Sequence, residues 1–364
     1  IFKEPTKAGY AFGGWYLDED GNNEMISRFK EITDKCVDGQ LKIFDKLNIH
    51  FDVFTHESDF VYNNYLEDIL NKLDKTGRLH EDELGRLYVD LSGYDIPTKE
   101  PVLVLTRSNK TSLYPMRDIA YTIHKIELNS KNNFIILGED QEVYMKQISA
   151  VLDILGYKAP ELICYSYVLL DGDKMSTSAG TVVLVTDFMK AVRETLIKEF
   201  KKRNSEISED KLNILVNACI KFTMLNVSKN KIVNFNLENA TSFTGESGMY
   251  ILYSIVRINS ILKNNDINLT NEIKFNNDIE KKIVKELSLF PDVIDSLLKS
   301  NEPAHLTKYI FNVAGLFSKL YEQVNITNES DVILKSSRIR LLKCISKVLT
   351  NALKILGIET IEKL

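Results

Sequence analysis

The chain has 364 residues, 44% hydrophobic and 27% charged, with a formal net charge of -5. That balance excludes a disordered chain and leaves room for two or three domains, while the negative field means that any nucleic-acid binding must come from local basic patches. No apolar run approaches the roughly 18 to 20 residues that span a bilayer, and the opening IFKEPTKAGY has no basic segment followed by an apolar one, so neither membrane insertion nor secretion is expected.

Cys36, Cys164, Cys219 and Cys344 are scattered with no CxxC pair, which argues against a zinc site or a disulfide framework and for reduced thiols in the cytoplasm. Residue 1 is Ile, and the chain is expected to be part of something longer.

In chain order, residues 1–22 come first, with glycines set among Tyr10, Phe12, Trp15 and Tyr16 as in a small β-hairpin module. From Glu24 the spacing of Ile26, Phe29, Ile32, Val37 and Leu41 predicts a helix, and YLEDILNKLDKTGRL a second, both packed on a neighbour. PVLVLTRSNKTSLY reads as a strand, a turn at Ser108, Asn109 and Lys110, and a short return; a helix then starts near Pro115. NFIILGED and ELICYSYVLL read as buried strands flanking the helix QEVYMKQISAVLDILGY, a βαβ unit whose parallel sheet would hold ligands at the strands' carboxyl ends. The polar loop DGDKMSTSAGT follows, and after TVVLV the pattern is helical to the end, with loops near residues 204–208, 264–276 and 325–330.

KMSTSAG, Lys174 to Gly180, is the sharpest motif. A lysine and hydroxyls in a small-residue loop beyond a strand can approach phosphate oxygens, where an ammonium offsets the charge on departing pyrophosphate. A solvated surface turn is the alternative. Tyr114 and Asp118 lie one helical turn apart and can face one pocket; equally, Arg117 and Asp118 could form a local ion pair with Tyr114 in the core. The five histidines are isolated. On a wheel for residues 334–356, Leu341, Leu342, Ile345, Val348, Leu349, Ala352 and Leu356 share one face, with Arg340, Lys343, Lys347 and Lys354 opposite. That stripe, with Lys201, Lys202 and Arg203 in KEFKKR and the stretch Lys221, Lys229 and Lys231, reads either as solvated surface or as contact with an RNA backbone.

TSLYPMRDIAYTIHK, FIILGEDQEVYMKQISAVLDILGY and KMSTSAGTVVLV, in this order and at these separations, resemble arginyl-tRNA synthetases, and KMSTS resembles the KMSKS loop of class I aminoacyl-tRNA synthetases. NFNLENATSFTGESGMYILYSIVRI and the ending SRIRLLKCISKVLTNALKILGIE also resemble that family, so the likeness covers residues 24–364.

The resemblance implies an α/β plus all-α fold: the carboxyl-terminal half of a Rossmann-like parallel sheet domain followed by an α-helical anticodon-binding bundle. Its expected divisions are residues 1–22, unrelated; 23–100, a helical connecting region; 101–186, the second Rossmann-like half with the KMSKS-like loop; 187–246, a helical tRNA stem-contact region; and 247–364, the anticodon-binding domain.

By the same resemblance, Tyr114, Asp118 and Gln141 grip L-arginine, and a carboxylate is the best partner for a planar guanidinium fork. Lys174 would be catalytic, and Lys174, Met175, Ser176, Thr177 and Ser178 would bind ATP with Mg2+; tRNA(Arg) would dock on the basic helices, coupled to loop order near Lys174. No protein metal ligands and a monomer are expected. The family's HIGH signature is missing, the second lysine of KMSKS is Thr177, and Tyr144 stands where many relatives have His. The implied function is an arginine-tRNA ligase of translation, inactive as this stretch alone. A non-catalytic RNA-binding module and a surface repeat protein are the rivals, the latter because AGYAFGGWY is weakly similar to bacterial surface repeats.

Overall fold

The chain divides into two units, residues 1–44 and 45–364. The computed structural model describes residues 23–61, 64–128, 132–170, 173–174, 184–265 and 269–362. In the first unit the described residues form most of helix α1 (Asn23–Lys46), whose apolar side chains Phe29 and Ile32 are exposed instead of packed.

The second unit starts with a short helix α2 (Ser58–Val61) and helix α3 (Tyr65–Asp74), after which the expected helical region turns into a β-hairpin, β1 (Leu79–Glu81) and β2 (Leu87–Asp90). Its turn is built by Asp82. One carboxylate oxygen accepts the backbone N–H groups of Leu84 and Arg86, the other accepts Nε of Arg86 at 2.7 Å, and Gly85 supplies the positive φ of 77°. These bonds hold the Asp82 carboxyl below its usual range. Strand β3 (Val102–Val104) adds to β2 antiparallel, and a bridge between Thr106 and Ser112 closes the predicted turn, with Lys110 left-handed at its tip.

Helix α4 (Tyr114–Glu127), strand β4 (Phe134–Gly138), helix α5 (Glu142–Ile154) and strand β5 (Glu161–Tyr165) make the expected parallel βαβ unit, Phe134 pairing with Glu161 and Gly138 with Tyr165. The strands are not buried as expected. Side chains alternate across a strand, and Ile135, Leu137 and Leu162 pack on the core while Phe134, Ile136 and Tyr165 on the other face are exposed, Ile136 by 64%. The run ELICYSYVLL is two strands. After β5 the chain steps through Ser166, whose N–H bonds to the Lys229 carbonyl, into β6 (Val168–Leu170), the centre of a sheet with β7 (Asp173–Lys174) antiparallel and β8 (Val233–Phe235) parallel.

Helices α6 (Val185–Lys202) and α7 (Glu209–Leu225) precede β8, so the chain is not helical throughout, and α8 (Leu237–Ala240) follows it. Then come α9 (Gly248–Asn264), α10 (Asp278–Ser288), α11 (Phe290–Ser300), α12 (Ala304–Gln323) and α13 (Val332–Ile355). Ser247 caps α9, Asn277 and Glu280 form a capping box on α10, and Asp331 caps α13. One apolar core runs from Val192 on α6 to Ile361 past α13, across the expected division at 246–247; a second, from Phe60 to Leu152, unites α2 to α5 with β2 and β3.

Candidate functional site

Helix α4 begins as its sequence predicts: Leu113 is extended, and Pro115 occupies the first turn, where no backbone N–H is needed. Met116, Ile119, Ala120 and Ile123 are buried at helical spacing, which fixes the rotation of the helix and turns Tyr114 and Asp118 outward. Tyr114 is 69% exposed, so it is not a core residue. Arg117 is not Asp118's partner either. Its Nε lies 3.0 Å from Oε1 of Glu57, and its guanidinium stacks 4.7 Å from the centre of the Tyr114 ring.

Asp118 is therefore left without Arg117 as a partner. Its Oδ2 accepts a 2.5 Å hydrogen bond from the hydroxyl of Tyr144 on α5, and among the described residues no cation pairs with it. Lys125, further along α4, sits over the ring of Tyr121 at 4.6 Å; burial lowers its pKa and the Asp118 charge partly restores it. Burial, then the bond to Asp118, pushes the Tyr144 hydroxyl well above the usual phenol range, so it is a permanent donor. The sequence signal for Tyr144 is its place three positions after Gln141, about one turn further along the chain.

Gln141 ends a short 3-10 turn, Glu139–Gln141, at the carboxyl end of β4, where a parallel sheet keeps its ligands. Its Nε2 donates to Oδ2 of Asp140 at 2.9 Å. Asp140 can fold back this far because residue 138 is glycine: a Cβ there would lie 2.5 Å from Oδ1 of Asp140. Among the described residues, no hydrogen bond joins Gln141 to Tyr114 or Asp118; the Tyr144 hydroxyl links the start of α5 to Asp118 on α4.

The backbone of Lys174 lies in β7, opposite Leu169. Met175, Ser176, Thr177 and Ser178 lie outside the described residues. Among the described residues there is no group of three or more His, Cys, Asp or Glu side chains that could hold a metal ion.

The basic residues divide into free and committed ones. Lys343, Lys347 and Lys354 are exposed along α13, as the wheel predicts. Arg340 is not part of that stripe: it is half-buried and donates to the Thr270 carbonyl at 2.7 Å, because residues 269–277 pack over the first turns of α13. Lys201, Lys202 and Arg203 are exposed at the end of α6, with Lys202 paired to Glu199 and the Arg203 guanidinium 3.9 Å from the Phe243 ring centre, beside a cleft of about 750 Å³. In the third stretch, Lys221 donates to the carbonyls of Asn48 and Gly357, and Lys229 to that of Ser300, so only Lys231 is exposed.

No helix among the described residues is long and apolar enough to cross a membrane. Residues 15–238 match the family of class I tRNA synthetases (R), catalytic domain, and residues 251–364 match the DALR anticodon binding domain. The chain is 31% identical over 348 residues to an arginine-tRNA ligase of Methanococcus aeolicus, covering 93% of this chain and 60% of that one, and 30% identical over 362 residues to that of Sulfolobus acidocaldarius, covering 95% and 58%. It thus spans about 60% of the length of these curated relatives. Its fold is similar to the arginyl-tRNA synthetases of Thermus thermophilus (TM-score 0.83, 20% identity, 93% of this chain and 64% of that one) and Plasmodium falciparum (0.79, 20%, 95% and 60%). A catalytic-domain match over more than half of the sequence, followed at once by the anticodon-binding match, identifies the chain as a member of the class I arginyl-tRNA synthetase family.

Proposed function

We propose that the chain supplies the arginine-recognising and tRNA-docking part of an arginine-tRNA ligase, which joins L-arginine to ATP with loss of pyrophosphate and passes the arginyl group to tRNA(Arg), as a cytoplasmic monomer. One observation carries the reading: Asp118 is an exposed carboxylate with a neutral hydroxyl as its hydrogen-bond partner and no paired cation among the described residues. A planar guanidinium can donate two parallel N–H bonds to such a group, an ammonium cannot, and the exposed Tyr114 ring lies one turn away on the same helix. Gln141 spends its Nε2 on Asp140 and keeps Oε1 to accept a further guanidinium N–H.

In this reading the ammonium of Lys174 offsets charge that develops as pyrophosphate leaves, with Met175, Ser176, Thr177 and Ser178 along the phosphates. Lys343, Lys347, Lys354 and Lys201 meet the RNA backbone, with Lys202 and Arg203 beside them. Magnesium would accompany the ATP phosphates, and no step here depends on it.

Arginine titration calorimetry on the chain and on Asp118→Asn tests the reading. The variant keeps the shape and removes the charge; because Asp118 is exposed, the loss expected is that of a hydrogen bond to a charged group, roughly 1.5–3 kcal/mol, or about ten- to a hundredfold in affinity. Equal affinity in the two proteins would overturn it.

A further inference from the structure

We infer that Tyr144 is a positioning residue that fixes the plane of the Asp118 carboxylate for a guanidinium; this rests on the reading of Asp118 as the arginine-binding group. An aspartate on an exposed helix face turns freely about its terminal torsion, and a two-pronged contact then loses the entropy of stopping that rotation. Here the rotation is already stopped. The Tyr144 hydroxyl holds Oδ2 at 2.5 Å, and its ring is half-buried against the core that unites α4 and α5. The ring's own support is firm: Met145 and Ile148 beside it are buried, and Gln147 ties α5 to β3 by donating to the Val102 carbonyl at 3.0 Å.

The donor is also of the right kind. A lysine or arginine in place of Tyr144 would orient Asp118 and neutralise it, leaving nothing for the substrate; a phenol orients it and leaves the charge. One hydrogen bond occupies one lone pair of Oδ2, and the remaining lone pairs, with all of Oδ1, stay open to two parallel N–H groups. Arg117, the nearest cation in sequence, is drawn off by Glu57, which serves the same end.

The test combines arginine calorimetry and thermal melts on the chain, Tyr144→Phe and Asp118→Asn with carbon-13 NMR of the tyrosine Cζ atoms. The Tyr144 signal is assigned by its loss in Tyr144→Phe or its displacement in Asp118→Asn. Two results are expected: saturating arginine moves that signal, because guanidinium and phenol share one carboxylate, and Tyr144→Phe binds arginine roughly tenfold more weakly at an unchanged melting temperature. Binding that is lost in Asp118→Asn yet unchanged in Tyr144→Phe overturns the positioning role and leaves the arginine reading intact, as does a Tyr144 signal that arginine does not move. No binding by the unaltered chain, or equal binding by Asp118→Asn, overturns both. If Tyr144→Phe fails to fold, the signal of the unaltered chain decides.

Discussion

Arg338 and Glu280 form a buried ion pair between α13 and α10, Nε to Oε1 at 2.5 Å, with side chains 5% and 0% exposed. Glu329 and Asn276 each accept a bond from one of the other two guanidinium nitrogens, and the other oxygen of Glu280 accepts the backbone N–H groups of Asn276 and Asn277. Each guanidinium nitrogen and each Glu280 oxygen thus has a partner, the condition under which a buried pair is tolerated. Glu280→Ala should cost about 3–5 kcal/mol, because it leaves a buried guanidinium half-compensated, whereas Glu280→Leu combined with Arg338→Met should cost less than the two single changes added together. Urea denaturation of the unaltered chain, Glu280→Ala, Glu280→Leu, Arg338→Met and the double variant checks this; strict additivity would mean that the pair is not coupled.

Two glycines in helices should respond oppositely to alanine. A Cβ on Gly248, in the first turn of α9, would lie 2.4 Å from the carbonyl oxygen of Ala218 on α7, and backbone cannot step aside, so Gly248→Ala should destabilise by about 1–3 kcal/mol. Gly315, inside α12, has nothing within 4 Å of that position, and Gly315→Ala should stabilise by about 0.5–1 kcal/mol. Melting temperatures give the two signs directly.

Free and committed cations should separate in RNA binding. Replacing Lys343, Lys347 and Lys354 together by alanine should weaken tRNA binding and reduce the slope of log affinity against log salt by about 0.7–0.9 for each phosphate no longer neutralised. Arg340→Ala should leave that slope alone and lower stability instead, since it removes the bond to Thr270. Filter binding at several salt concentrations distinguishes them.

The cap of α13 should make stability depend on acid. The Lys274 side chain, then the Leu334 and Ile333 N–H groups, hold Asp331 below its ordinary 3.8; the Asp331 N–H, then Arg338, hold Glu329 below its ordinary 4.5. A carboxyl depressed in the folded state stabilises fully above its unfolded value and loses that contribution as pH falls through the folded one, so the loss belongs below about pH 4.5. Asp331→Asn should flatten the fall in urea midpoint between about pH 5 and pH 2 and leave neutral pH less stable than the unaltered chain.

Periodicity carried the helices well. The apolar stripe from Leu341 to Leu356 is buried apart from the half-buried Val348, and Lys343, Lys347 and Lys354 face out. It failed at Arg340 because a wheel gives an angle about the axis and knows nothing of a loop lying across that turn. The hairpin Leu79–Asp90 escaped notice because strands of three and four residues carry no readable alternation, and its turn rests on one aspartate. Strands β4 and β5 were misjudged for another reason: a continuous apolar run implies cover on both faces, and here only one is covered. The spacing of Tyr114 and Asp118 put both on one face of α4, and both are exposed there. The bond from Tyr144 was not, because a contact across 26 positions leaves no trace in local pattern.

Leu170 of β6 packs against the same helical core that carries α13, and β6 pairs directly with the two residues of β7 that end at Lys174. The sheet that holds the lysine backbone and the helix that bears the exposed cations are therefore cargo on one chassis. Because the two are joined through that core, a load applied along Lys343 to Lys354 would reach the backbone of Lys174 as a tilt of the whole body.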